Sequence, residues 1–430
     1  MPSPTLTIDP ADDLIDVPRR IAVAGLAPGE RVTITAETLR NGSAWRSHAV
    51  FVADGEGTVE LMRDAPVEGS YRGVAAMGLL WSQTPPGAGG LQPGLFHDDV
   101  AEPLLTSLVA RTASGELRGE LVQRLVGPGV IREEVREDGL VGVLFRPAGD
   151  PHAPAVVVLN GSGGGINEPR AALLAARGYN ALALGYFNAP GLPRYISNTP
   201  LEYFETGLDW VRRKVAPRGG FVAVSGQSRG GELSLLLGAT FPDKVSAVAG
   251  WVPSAFVHGG QGAADPAVGR DGPAWLHHGK PLVHIWNDNR TANWAPFLEG
   301  AEPRRNSLAM MTALGDPGAT ARARIPVERI AGPVLLVSGG DDGAWPSDLF
   351  SLMVVSSLAA AGHPHPVRWQ NTPSAGHSIL FPYVPTTVIT STHPVSRQVT
   401  TSGGTPEANA EANEMAWRAM LDWLGEATGR

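Results

Sequence analysis

The stretch VAVSGQSRGGELSLLLG, Val222 to Gly238, decides how the rest of the chain is read. The apolar run Phe221 to Val224 has the pattern of a buried strand, and the leucine-rich run after Glu232 that of a helix. Between them, Gly226-x-Ser228-x-Gly230 puts a lone serine on a tight strand-to-helix turn. Strand and helix crowd such a turn, so the flanking positions must be tiny, and the helix N-terminus favours negative charge beside the serine. In a chain with 53 glycines among 430 residues the pattern also arises by accident. Its position between a strand and a helix is what marks Ser228 as a nucleophile.

A serine needs a base, and the base needs a carboxylate to orient it. On this kind of turn the chain order is serine, acid, histidine. The strand PVLLVSGG is followed by Asp341 and Asp342; Asp342 is the expected orienter and Asp341 the alternative. His377 sits in the small-residue loop TPSAGHSI beyond the next strand, VRWQN, and is the expected base. After the strand AVVVL comes NGSGGGINE, Asn160 to Glu168, where an α/β-hydrolase supplies one backbone N–H to an oxyanion. Ser162 or Gly163 is the expected donor there, and the N–H of Arg229 the second. The loop lacks the Gly-Lys-Ser/Thr ending of a Walker A and fits G-x-G-x-x-G poorly, which argues against nucleotide binding. His363 and His365 fall in a helix-to-strand connection, while His277, His278 and His284 show no regular ligand spacing. No metal and no cofactor are expected.

Outward from the serine, strands and helices alternate. VIREEVREDGLVGVLFRP reads as a hairpin turning at Asp138-Gly139, followed by PAVVVLNG (strand), EPRAALLAARG (helix), YNALALGY (strand) and PLEYFETGLDWVRRKV (helix). VSAVAGW and PVLLVSGG are further strands, DLFSLMVVSSLAAAG a helix, HPVRWQNTP a strand and EANEMAWRAMLDWLGEA a last helix. Such alternation means a doubly wound, mostly parallel sheet covered on both faces, the α/β-hydrolase arrangement. Residues 129–430 are assigned to it, with 253–325 as an excursion beside the site and Pro382 to Ala408 as a second poorly patterned segment. Residues 1–128 read differently. RIAVAGL, RVTITAETL, SHAVFVAD, GTVEL, YRGVAAMGLLW and ELVQRLV are strand-like runs between Gly, Pro and Asp turns, which predicts an immunoglobulin-like β-sandwich.

Composition narrows the class. Hydrophobic residues make up 43% and charged residues 18%, enough apolar material for a large core. Net charge is −8 with Lys and Arg dispersed, which argues against a nucleic-acid partner. With no cysteine, disulfides, thiolate catalysis and Cys-type zinc sites are excluded. No apolar run approaches the roughly 18 residues that cross a bilayer. MPSPTLTIDPADD has neither the basic nor the apolar region of a signal peptide, and EATGR is not a peroxisomal address, so a cytoplasmic protein is expected.

Several stretches together resemble the family of acyl-CoA thioesterases and bile acid-CoA:amino acid N-acyltransferases. They are MGLLWSQTP (Met77 to Pro85), LNGSGGG, RGYNALALGYFNAPGLP, PLEYFETGLDWV, GQSRGGELSLLLG, IPVERI, SGGDDGAWPS and SAGHSILFPYVP. The resemblance runs over almost the whole chain. It implies a sandwich domain ahead of an α/β-hydrolase domain, and a triad mapping onto Ser228, Asp342 and His377. It also implies an acyl thioester substrate of the CoA type. The segment between Ser228 and Asp342 is longer than in the animal members. The amino-acid-conjugating branch uses cysteine as nucleophile, and serine here favours water as acceptor. The expectation is therefore a serine hydrolase for acyl thioesters or esters, with acyl transfer to an amine or alcohol as the alternative. Cations for CoA phosphates are sought in Arg229, Arg194, Arg304 and Arg305. Association with further copies of the chain is left open.

Overall fold

The structure is a computed structural model describing residues 3–87 and 94–430. The chain divides into two compact units: Met1–Val126 with Leu380–Ile389 and Thr405–Glu414, and Gly127–Ile379 with Thr390–Gly404 and Met415–Arg430. The first unit thus takes in two short late segments that a boundary at residue 128 leaves out.

The first unit is a β-sandwich. Arg31–Arg40 lies between Ser43–Val52 and Leu104–Thr112 in a six-stranded sheet, antiparallel to both. Val32, Ile34 and Ala36 alternate inward along it, as the period of two requires. Thr5–Asp9, Arg20–Ala24 and Val59–Glu60 form a three-stranded sheet. Its Ile21, Val23 and Val59 share one core with Ile34, Phe51, Leu108 and Leu121. The run YRGVAAMGLLW is not a strand. Gly78–Trp81 forms one helical turn, entirely buried. A short apolar run carries no period that separates a buried strand from a buried turn. Gly78 also lies so close to the Tyr71 ring that a Cβ would sit 2.3 Å from it.

The second unit holds an eight-stranded sheet. We number its strands β1 (Ile131–Val135), β2 (Val141–Arg146), β3 (Ala155–Leu159), β4 (Asn180–Gly185), β5 (Val222–Gln227), β6 (Ala247–Trp251), β7 (Val334–Gly339) and β8 (Val367–Thr372). Their order is β1-β2-β4-β3-β5-β6-β7-β8. Pairs involving β1 and β2 are antiparallel and the rest parallel. In β3, β4, β6 and β7 every residue is buried, which is why these strands read as continuous apolar runs. Helices α1 (Glu168–Ala176), α2 (Leu201–Trp210), α3 (Arg229–Thr240) and α4 (Ser347–Ala360) connect them, and α5 spans Pro406–Thr428. The helix expected over PLEYFETGLDWVRRKV changes character after Trp210: Val211–Val215 is a wider π-type turn, closed by Ala216 in a left-handed conformation.

Between β6 and β7 the chain leaves the sheet. Trp275–His277 pairs in parallel with Thr199–Pro200, and three short helices follow: Ala295–Leu298, Ser307–Ala313 and Pro317–Ala323. The second poorly patterned segment contains a small hairpin, Thr390–Thr392 with Val399–Thr401. Among the described residues no helix is long and apolar enough to cross a membrane.

Candidate active site

Ser228 follows β5 directly and has φ 58° and ψ −119°, a strained conformation for a residue with a Cβ. The glycines around it are there for space. A Cβ on Gly226 would lie 2.1 Å from the carbonyl oxygen of Gly230, and one on Gly230 would lie 2.5 Å from that of Asn160. Gly231 is equally constrained, 2.6 Å from the Trp251 oxygen by the same measure; the three-residue pattern does not single it out. The Ser228 N–H donates to Trp251 O at 2.8 Å, which locks the turn to the end of β6.

Asp342 and His377, from the loops after β7 and β8, are in contact. His377 Nδ1 lies 2.8 Å from Asp342 Oδ2. Asp342 is buried, and its Oδ1 accepts from the N–H groups of Ala344 (2.8 Å) and Trp345 (3.2 Å). A carboxylate so occupied takes its last bond as acceptor, which puts a proton on Nδ1 and leaves Nε2 free to act as base. The Trp345 ring stands edge-on to the imidazole, centroids 5.9 Å apart. Asp341 is exposed and turned elsewhere: its carboxylate accepts from Arg305 (2.8 Å) and from Gly404 N–H (2.9 Å). Ser228 Oγ makes no hydrogen bond among the described residues; catalytic hydrogen bonds commonly tighten only around bound substrate.

The loop Asn160–Gly165 lies against the serine. A Cβ on Gly161 would sit 3.2 Å from Ser228 Cβ and 3.8 Å from Oγ. Its hydrogen bonds are almost fully used. Gly161 N–H donates to Asn160 Oδ1, Gly164 N–H to Gly161 O, and Gly165 N–H to Phe187 O. Asn188 and Tyr186 hold the carbonyls of Gly163 and Asn160 from outside. Among the described residues the N–H groups of Ser162 and Gly163 have no partner. Across the turn, Arg229 N–H is the first of α3, a position that has no partner inside a helix.

The cations expected to meet CoA phosphates fare unequally. The Arg229 side chain is not available to a ligand. It is buried and donates to Glu232 Oε2 (2.7 Å), Gly259 O (2.9 Å) and Gln261 Oε1 (3.1 Å). Glu232 is fully buried too, and also accepts from Trp275 Nε1 and His258 N–H. Burial pushes its carboxyl above the usual range, with Arg229 pulling the other way. Arg305 is committed to the acid turn, donating to Asp341 and to the carbonyl of Asp342. Arg304 leans over Phe297 with Glu302 3.8 Å away. Arg194 is exposed beside the Tyr195 ring and has no carboxylate partner among the described residues.

Sequence reasoning missed three groups. Arg170 of α1 lies 4.1 Å above the Trp251 ring and bonds Gln227 and Ile379 O; Gln227 in turn reaches His377 O at 3.5 Å. Arg270 stacks on Trp294 (4.4 Å) and Phe297 (5.2 Å) and lines a cavity of about 310 Å³ with Tyr195, Gln261, Ser396 and Gln398. Its Nη2 reaches Gln398, while Nη1 has no hydrogen-bond partner among the described residues. The third group is the ribbon 390–404. Ser402 O accepts from His377 N–H (2.7 Å) and Gly343 N–H (2.9 Å), and His393 Nε2 lies 3.0 Å from Ser162 Oγ. None of these carries a local pattern; Arg170, a charge inside an apolar helix, was the available signal. Elsewhere, ligand atoms of Glu202, His277 and His278 fall within 4.8 Å of one another, a spacing a metal ion can use.

The chain is similar to known proteins over nearly its whole length. Residues 16–137 match the acyl-CoA thioester hydrolase/BAAT N-terminal region, and residues 199–430 the BAAT/acyl-CoA thioester hydrolase C-terminal region. Acyl-coenzyme A thioesterase 6 of Mus musculus is 32% identical over 97% of this chain and 95% of its own. Peroxisomal succinyl-coenzyme A thioesterase of Mus musculus is 30% identical over 99% of this chain and 97% of its own. Acyl-coenzyme A thioesterase 1 of Homo sapiens is 32% identical over 99% and 97%.

Proposed function

This chain belongs to the acyl-CoA thioester hydrolase/BAAT family, and on that premise we propose that it hydrolyses acyl-CoA through an acyl-enzyme formed on Ser228. The observation that carries the proposal is the short Asp342–His377 contact in loops at the same sheet edge as the strained turn of Ser228. His377 Nε2 removes the hydroxyl proton as Ser228 Oγ attacks the thioester carbonyl. The oxyanion settles on the N–H of Arg229 and those of Ser162 and Gly163, each such donor stabilising the transition state by about 3 kcal/mol. Collapse of the tetrahedral species expels the thiolate, which takes the proton from the imidazolium. Water then attacks the acyl-serine, with His377 again as base. Asp342 stays ionised and keeps the imidazole in the required tautomer.

For the phosphates of CoA, Arg194 and Arg270 are the cations we favour, since Arg229 and Arg305 are occupied within the protein. The cytoplasmic compartment is part of the proposal; relatives carry peroxisomal and mitochondrial in their names, and cell fractionation decides.

The test is Ser228→Ala, assayed by thiol release from an acyl-CoA panel, with fluorophosphonate labelling of the wild type. Turnover should fall by roughly 10⁴-fold or more, and the label should appear on Ser228 alone. Thiol release that persists in the variant refutes the nucleophile. Adding an amine acceptor and finding amide in place of free acid would convert the reading to acyl transfer.

A further inference from the structure

His393 is a half-buried histidine that the triad does not use. It begins the turn between the two strands of the 390–404 hairpin. Its N–H donates to Gln398 O, and its carbonyl accepts from Arg397 N–H, both at 2.9 Å. The ring is held as firmly. Nδ1 faces two backbone donors, Ser396 N–H at 3.1 Å and Val395 N–H at 3.3 Å. A nitrogen that accepts cannot carry the proton, so the neutral ring has its hydrogen on Nε2. Nε2 faces Ser162 Oγ at 3.0 Å. The direction of that bond is therefore fixed: His393 donates and Ser162 accepts. Burial favours the same neutral form, lowering the imidazole pKa to about 4.

Ser162 is one of the residues whose backbone N–H is left over in the loop against Ser228. Its hydroxyl, once it has accepted from His393, still has its own hydrogen to give, and has no second partner among the described residues. A hydroxyl that accepts a hydrogen bond is also a better donor. The neighbouring Gly163 is pressed against the same turn of the ribbon, where a Cβ would lie 3.1 Å from Pro394 Cγ. The loop is thus held between Ser228 on one side and the His393-Pro394 turn on the other.

We infer that His393 is a positioning residue for the reaction: it seats the 160–165 loop and makes the Ser162 hydroxyl a hydrogen-bond donor to the substrate oxygen. This rests on the proposed role of Ser228 and adds a side-chain donor to the backbone donors. A purely structural anchor would hold the loop without concern for which atom carries the proton.

The experiment is a double-mutant cycle in the full-length protein with Ser162→Ala, His393→Ala and the pair, together with His393→Gln. The Gln amide places an N–H near the position of Nε2. Thiol release from acyl-CoA gives kcat and KM, and thermal unfolding is recorded alongside. His393→Ala and Ser162→Ala should each lower kcat by about 10- to 100-fold, below the loss for an essential backbone donor, with KM changed less than threefold. The pair should be no worse than either single variant, because they remove one interaction. His393→Gln should recover most of kcat. Multiplicative losses in the pair, or wild-type kcat in Ser162→Ala, would overturn the inference. If His393→Ala does not fold, His393→Leu takes its place in the cycle with Ser162→Ala. Ser228→Ala run in parallel separates the two levels. Turnover surviving there removes the nucleophile itself, whereas normal loss there beside an active Ser162→Ala removes only the role of His393.

Discussion

Replacing Arg229 by Met asks whether this cation serves the substrate or the fold. The residue directly after the nucleophile is a natural place to look for a phosphate ligand. In the structure its guanidinium is enclosed and faces Glu232, which is itself fully buried. Arg229→Met fills most of the same volume but strands a carboxylate in the interior, which costs about 3–5 kcal/mol when one partner of a buried pair is removed. That lowers the ratio of folded to unfolded molecules by roughly a thousandfold. At roughly 2 °C per kcal/mol for a unit of this size, the melting point should drop by about 6–10 °C. Glu232→Gln should destabilise as well, by leaving Arg229 unneutralised while keeping the bond from Trp275. The double variant Arg229→Met/Glu232→Gln should recover part of the loss, because no buried charge remains. Differential scanning calorimetry gives the stability series, and thiol release at low and high salt gives KM. Since no phosphate reaches Arg229, KM for acyl-CoA and its salt dependence should be unchanged in the folded fraction. A variant with wild-type stability and a KM raised tenfold would refute the enclosed-pair account and return Arg229 to the substrate.

Asp342→Asn should cut kcat by roughly 10⁴-fold through the wrong imidazole tautomer, whereas Asp341→Asn should change kcat little; the reverse ranking in a steady-state assay would transfer the role. Arg270→Ala should raise KM for acyl-CoA several-fold at low ionic strength and less at high salt, with kcat/KM for a short neutral ester unaffected, as expected for a screened phosphate contact. His393, with its folded pKa depressed from 6.5 to about 4, binds a proton more readily in the unfolded chain. Stability from this group is complete above pH 6.5 and is lost as pH falls toward 4, by about 3 kcal/mol in all. Denaturant titrations between those pH values should show the slope, and His393→Gln should flatten it.

The sheet was legible because its central strands are buried on both faces and so appear as unbroken apolar runs, β3 and β7 most plainly. Ser228 and Asp342 stood out because each follows such a run within a few small residues, and His377 because it lies in a small-residue loop after the next strand. Legibility ended where partners are distant in sequence. Nothing local tells that Leu380–Ile389 and Thr405–Glu414 join the first unit. Glu232 appeared as an ordinary helix acid, since its partners Trp275 and His258 come from the excursion, which has no period of its own. The ribbon was opaque because its strands are three residues long and its packing depends on backbone proximity. A Cβ on Gly376 would come within 2.2 Å of Gly403 O. The turn at Gly78–Trp81 was misread because four apolar residues fit either geometry.

The ribbon also bears on how this enzyme can vary. Catalytic loops on a sheet edge hang from separate strand ends, and each could be altered by mutation without regard to the others. Here residues 390–404 touch the acid turn through Gly343, the base loop through His377 and the glycine loop through Ser162. A change in the ribbon thus bears on Gly343, His377 and Ser162 together. Inherited substitutions should therefore arrive there in matched sets, with Gly343, Gly376 and Ser162 changing alongside the ribbon residues they meet, while the rim of the 310 Å³ cavity around Tyr195 and Asp265 stays free to diversify.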